Sequence, residues 1–292
     1  MNKYTKIKLN FYRKQFFKEV SAKASALKSL CISVVLWIVS DENSKIPAQD
    51  CLLLFVRNVF PVFLTVFICI ILISIISAFN KKSFSPSFSI KRGITRINVF
   101  FGDIFSQEGI KVIPINDIAD DKVAENAISE NSIHGQFLTT YCPGGASGFK
   151  HEIEKQTEDE DSVKLEGFDG NVYKIGSVFR IDDFFCAVLT HTKLPEYTVK
   201  SSSSDLVCVV ESVIDAANQY ARGKPVFMPL IGGGLARINL EKEAKVQMII
   251  SAIQAKNSIV GYNGEFNIVL SYEDLENIKF DKLKQFNGVV NE

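Results

Sequence analysis

Residues 226–238 read VFMPLIGGGLARI, an apolar run of strand type that ends in three consecutive glycines. Glycines there expose several backbone N–H groups with no side chain in the way, which suits the many oxygens of a pyrophosphate. The spacing is neither G-x-G-x-x-G nor a G-K-[ST] phosphate loop, and a tight turn between strand and helix is the alternative reading. A second signal follows the run INVFF, where Gly102, Asp103 and Ile104 place a carboxylate at a strand end. Such a carboxylate can accept a hydrogen bond from an exocyclic amine like that of adenine, or serve as an ordinary turn Asp. His134, His151 and His191 are the only histidines, and no nucleophile or orienting group stands beside them, so structural roles are expected. Cys142 lies in the loop-like stretch CPGG, and no nucleophilic role is expected for it. The six cysteines form no C-x-x-C pair, which argues against a zinc site or a disulfide framework. The run 152–161 sets six acids against Lys155 and reads as a solvated insertion.

Groups at strand ends need a sheet to hold them. Runs rich in β-branched and aromatic residues at 94–101, 111–115, 173–181, 184–190, 226–231 and 266–270 read as strands. Between them, Leu206, Val209, Val210, Val213, Ile214, Ala217 and Tyr220 fall at helical spacing in a helix over 205–222, with Asp205 to cap its start and Gly223 to end it. Asn239 is placed to cap a second helix reaching about residue 256, and Ser271 with Asp274 forms a capping-box-like start to a third. Strands alternating with helices predict an α/β domain whose ligand sits at the strand ends.

Taken together these segments resemble the macrodomain fold, an ADP-ribose-binding α/β module with a mixed sheet flanked by helices. The resemblance rests on the opening strand followed by GDI, the second strand ending in VIPIND, the loop IHGQF, the strand AVLTHTKL and finally PLIGGGLAR. It implies that Asp103, with Ile104 beside it, contacts adenine. It also implies ligand contacts at Asn116, at Gly135 and Gln136 of the first loop, and at Gly232, Gly233, Gly234, Leu235, Ala236 and Arg237 of the second. Whether Asn116 or Asp117 matches the family's Asn stays open. Enzymatic members show an N-A-A-N-like motif and a glycine-rich first loop, where this chain has P-I-N-D and Gly135 alone. An aromatic near the distal ribose is replaced by Ala236, and Arg237 stands where glycine is common. The resemblance therefore implies a binder of an ADP-ribose derivative with no catalytic residues, no cofactor and no metal. Arg237 is placed to pair with a phosphate or a charged group on the ribose, or to form a surface salt bridge.

The first third of the chain is of another kind. Residues 58–80 contain no charge, enough for a helix across the ~30 Å hydrocarbon core. A second span over 21–40 is uncharged from Ser29 onward and needs Lys23 and Lys28 to reach toward the headgroups. Residues 1–28 hold eight Lys or Arg and residues 81–96 five more, whereas 41–56 hold only Lys45, which predicts a two-pass inner-membrane protein with both termini cytoplasmic. The expected organisation is a membrane region over 1–80 with helices at about 21–40 and 58–79, a basic Ser-rich linker over 81–93 and a ligand-binding domain over 94–292. The 33 basic and 33 acidic residues cancel, which argues against nucleic acid as a partner, and an apolar content of 47% excludes a wholly disordered chain. Two membrane helices joined to such a domain resemble the membrane effectors of bacterial Thoeris anti-phage systems. That resemblance implies a TIR-domain NAD-consuming enzyme as functional partner, an ADP-ribose-type signal such as histidine-ADP-ribose, a lipid bilayer as target and a homo-oligomeric active state. A membrane-tethered ADP-ribosyl hydrolase and a ligand-free scaffold are the rival readings.

Overall fold

The computed structural model describes Arg13, Leu64, Ile68, residues 86–123, 128–157, 162–164, Phe168, 170–193, Glu196, 198–232, 238–275 and 277–288. The chain divides into two units, Met1–Phe84 and Ser85–Glu292. Both expected membrane helices lie outside the described residues, and among the described residues no helix is long and apolar enough to cross a membrane.

The second unit is built on an eight-stranded sheet in the order β1-β2-β10-β9-β3-β7-β6, with β8 paired to β7. Its strands are β1 (Ser87–Arg92), β2 (Thr95–Phe101), β3 (Ile110–Asn116), β6 (Val178–Ile181), β7 (Phe184–Lys193), β8 (Thr198–Lys200), β9 (Val226–Pro229) and β10 (Glu265–Leu270), while β4 (Ser162–Lys164) and β5 (Asn171–Tyr173) form a separate pair. Neighbours from β2 through β10, β9 and β3 to β7 are parallel, whereas β1, β6 and β8 are antiparallel additions. The sheet is thus the mixed α/β type that the sequence pattern predicts. Strand identity follows burial: β2 alternates buried with more exposed positions, whereas all four residues of β9 and the first seven of β7 are buried, as interior parallel strands require.

Helices cover both faces. α1 (Ile133–Gln136) runs into a π-type turn (Phe137–Tyr141), and with α2 (Gly145–Gln156) it buries Phe137, Leu138, Phe149 and Ile153 against Ile113, Ile115, Cys186 and Val188 of β3 and β7. α3 (Ser203–Ala216) and α4 (Lys242–Asn257) pack on each other, with α3 lying over β6 and β7. α5 (Phe280–Phe286) sets Phe280 against Phe88 and Phe101 at ring distances of 5.3 and 5.6 Å.

Several expected boundaries move for local reasons. β1 falls within the stretch expected to be linker; its alternating buried residues Phe88 and Ile90 make it a sheet edge. The expected strand over 173–181 is interrupted at Gly176, whose φ of 88° turns the chain between β5 and β6. α3 is capped by Ser202, and Asp205 closes a capping box by accepting from the Ser202 N–H at 2.6 Å. α4 begins at Lys242, beyond Asn239, and Ser271 caps only a single 3-10 turn over Tyr272–Asp274. α2 occupies sequence expected to be loop and solvated insertion, because Phe149 and Ile153 are fully buried four residues apart.

Candidate functional site

Five parallel strands end at one edge, and the order of connections opens that edge at a defined place. From β3 the chain moves outward to β7, and later returns to lay β9 and β10 on the other side of β3. Neighbouring strand ends with connections leaving in opposite directions form the crevice in which sheets of this type take ligands. At that point the β3–β9 ladder is short: it consists of Ile110↔Val226 and Lys111↔Phe227. Pro114 and Pro229, which have no N–H to leave unpaired, lie beyond its end.

On the β2 side, Asp103 Oδ1 accepts from the Phe105 N–H at 3.1 Å and so caps a short 3-10 turn, while its carbonyl accepts from Ser106 Oγ and Gln107 Nε2. Ile104 buries its side chain with Phe227 and Val269, and its carbonyl accepts from the Gln107 N–H at 3.3 Å. Phe105 stacks on Tyr141 at 4.4 Å, a pair that sequence spacing does not reveal because 36 positions separate the rings.

At the end of β3 the two neighbouring polar residues part company. Asn116 Oδ1 accepts from the Asp120 N–H at 2.9 Å and shapes the local turn. Asp117 is 6% exposed; its Oδ1 accepts from the Thr192 N–H at 2.8 Å, and Oδ2 lies 3.9 Å from His191 Nδ1. Burial raises the Asp117 pKa, an effect partly offset by the Thr192 hydrogen bonds and His191. His191 Nε2 in turn lies 3.7 Å from Asp205 at the start of α3. The structure therefore sets an imidazole between two carboxylates at this edge, a grouping of β3, β7 and α3 that no sequence motif announces.

The two glycine-bearing loops differ. Gly135 is in α1, its N–H donates to Ser132 Oγ at 3.0 Å, and an added Cβ would overlap the Ser129 carbonyl oxygen. Gln136 donates from Nε2 to the Asn131 carbonyl at 3.1 Å. His134 beside them is buried against Phe149, and desolvation lowers its pKa to about 3, so the ring is neutral. On the β9 side, Gly232 turns the chain with a φ of 80° and its carbonyl accepts from Lys245 Nζ at 2.7 Å. Gly233, Gly234, Leu235, Ala236 and Arg237 lie outside the described residues. Asp103, Asn116 and Gly232 thus all stand at the strand-end edge, whereas the described bonds of Gly135 and Gln136 are internal to their own loop. Lys245 was legible in principle, since it stands one position before Val246 and four before Ile249 on the buried stripe of α4.

Cys142 is buried, and desolvation with Asp182 and Glu152 nearby pushes its thiol up to about 11, which keeps it protonated and unreactive. Among the described residues no group of His, Cys, Asp and Glu is arranged to hold a metal ion.

Residues 97–271 match the family model described as Thoeris protein ThsA, Macro domain. Among solved structures, the chain is similar to the Oceanobacillus iheyensis macrodomain with MES bound, at a TM-score of 0.51 and 12% identity over 71% of this chain and 100% of that one. It is similar also to that macrodomain with ADP, at a TM-score of 0.50 and 12% identity over the same shares. At that identity the likeness establishes the fold. None of the curated proteins matches the chain.

Proposed function

Because this chain belongs to the family of Thoeris ThsA macro domains, we propose that its crevice between β3 and β9 binds an ADP-ribose derivative, and that the chain is a membrane-anchored sensor-effector. Macrodomains take ADP-ribose as a ligand and need no cofactor for it. The observation that carries the reading is the early end of the β3–β9 ladder at the switch point, with Asp103 at one strand end and the Gly232 turn at another. In this reading Asp103 meets the adenine amine and the glycine loop meets the pyrophosphate. Asn116 stands at the end of β3, Gly135 and Gln136 shape the first loop, and Arg237 takes a phosphate or the group carried on the distal ribose.

The effector part rests on the uncharged segment 58–80, the weaker span over 21–40 and the basic flanks that predict cytoplasmic termini. A TIR-domain enzyme supplies the NAD-derived signal, histidine-ADP-ribose among the candidates, and the occupied domains associate so that the attached helices disrupt the inner membrane. Coupling is supported inside the domain: Ser87, the first residue of β1, pairs with Phe100, so the chain enters at the edge that carries Asp103. A signal shifts the protein toward the assembled state only to the extent that it binds that state better.

One observation favours the hydrolase alternative, the His191 imidazole between Asp117 and Asp205. A single experiment separates the readings. Full-length protein in detergent is titrated calorimetrically with ADP-ribose and incubated with ADP-ribosylated protein. The sensor reading expects binding without turnover, weakening by about 1–3 kcal/mol in Asp103→Ala, and loss of binding in Gly233→Glu with an unchanged unfolding temperature. Release of ADP-ribose that is lost in His191→Gln favours the hydrolase. Failure of the wild type to bind ADP-ribose overturns both.

A further inference from the structure

Lys245 is 5% exposed, in the first turn of α4, where the aligned peptide dipoles already make the surroundings positive. A lysine so buried ordinarily faces a carboxylate. Here the ammonium donates to a neutral acceptor, the Gly232 carbonyl, at 2.7 Å. Among the described residues no carboxylate lies within ion-pair distance of it, since Asp274 is paired with Lys242 and Glu243 accepts from the Lys279 N–H at 2.6 Å. Lys242 adds a further positive charge, and among the described residues Asp274 and Glu241 act against it from a distance. Burial is the main cause of a lowered Lys245 pKa, with Lys242 contributing in the same direction. The fold thus holds a cation beneath the first residue of the glycine loop, against desolvation, dipole and like charge together.

We propose that Lys245 is a positioning residue for the phosphates of the ligand: it fixes the Gly232 carbonyl toward α4 and neutralises part of the pyrophosphate charge through that turn. The inference rests on the ADP-ribose reading above and adds a linkage to it. A bound pyrophosphate raises the pKa of an ammonium close to it, so binding draws in a proton where the pH lies between the unliganded and liganded pKa values. Affinity for ADP-ribose therefore falls as the pH rises between the unliganded and liganded pKa values, and is flat below the lower one.

The test is calorimetric titration of full-length protein in detergent with ADP-ribose, from about pH 7 up to about pH 10.5, the ordinary lysine value, in buffers of differing protonation enthalpy. Adenosine, which carries no phosphate, is the second probe. Wild type should take up a fraction of a proton on binding ADP-ribose and none on binding adenosine. Lys245→Met should bind ADP-ribose about tenfold more weakly or worse, with adenosine affinity retained and proton uptake abolished. Lys245→Arg, which cannot lose its charge, should stay within about threefold of wild type and show no uptake. Should Lys245→Met fail to fold, the uptake by wild type and its loss in Lys245→Arg decide the matter. A Lys245→Met protein that binds ADP-ribose like wild type, equal weakening toward both probes, or binding by wild type without proton uptake overturns the proposal while leaving the crevice reading intact. A wild type that binds no ADP-ribose overturns both.

Discussion

Gly135 and Gly232 are each a glycine of a segment to which the family resemblance gives ligand contacts, yet the structure uses them in opposite ways. Gly135 is there because the Ser129 carbonyl occupies the place of a side chain, and its N–H is taken by Ser132. Its loop closes on itself: Gln136 donates to the Asn131 carbonyl, and a neutral His134 sits against Phe149. Gly232 is there because the backbone turns left-handed, and its carbonyl is anchored from below by a buried ammonium. One loop is a packed structural corner and the other a turn with a cation behind it. The difference teaches that a glycine's meaning lies in what occupies the space it leaves empty.

The strongest test of that contrast is Gly135→Val. Its Cβ would meet backbone that cannot rotate away, so the variant should lose about 3 kcal/mol of stability, read as an unfolding temperature lower by roughly 6–12 °C. Any loss of ADP-ribose binding should track the loss of folded protein. If Gly135→Val is as stable as wild type and fails only in binding, the first loop is a ligand cradle after all.

Acid titration sharpens the same point at His134. Its folded pKa of about 3 lies below the ordinary 6.5, so the stability it contributes is present above pH 6.5 and is lost as the pH falls toward 3. At pH 5 the loss should reach about 2 kcal/mol. Asp117 and Asp120, raised by burial, act in the opposite sense: their contribution is present below the ordinary carboxylate pKa and lost as pH rises through the folded values. Chemical denaturation of His134→Leu at pH 7 and pH 5 should show that its stability falls less than wild type's; equal falls would mean that the ring is not buried neutral.

On the other loop, Gly232→Ala forces a side chain into a φ of 80° and brings its Cβ to 2.5 Å from Ile238 Cδ1, the end of a side chain that can turn aside. The expected loss is about 1–2 kcal/mol, with ADP-ribose affinity falling by more than the stability does. Equal falls in both would erase the distinction between the loops. The smallest effect belongs to Asn116→Ala, about 0.5–1 kcal/mol for the bond to the Asp120 N–H. A thermal shift within that range and little change in affinity identify Asn116 as a structural residue of the turn after β3, while a large affinity loss moves it into the ligand's reach.

Much of this was legible in one dimension, because period and composition are local properties. The apolar runs at β2, β3, β7, β9 and β10 are strands since they are buried, and burial leaves its mark as hydrophobicity. The stripe Leu206, Val209, Val210, Val213 and Ile214 is a helix face for the same reason, and the order of strands and glycines was enough to indicate the fold family. What remained hidden depended on residues far apart in the chain. β1 looked like a polar tether because an edge strand buries only alternate side chains. Whether Asn116 or Asp117 faces across the sheet was decided by Thr192, two residues past the buried end of β7, and the grouping with His191 and Asp205 by the packing of α3. The meaning of Gly135 was decided by a carbonyl six residues upstream, and that of Lys245 by a turn 13 residues before it. Sequence by itself determined which segments must be buried and hence the class of sheet, since hydrophobic periodicity carries that information locally. Only the tertiary structure decided which polar groups meet at the strand ends, because hydrogen bonds and buried charges depend on distances that folding alone creates.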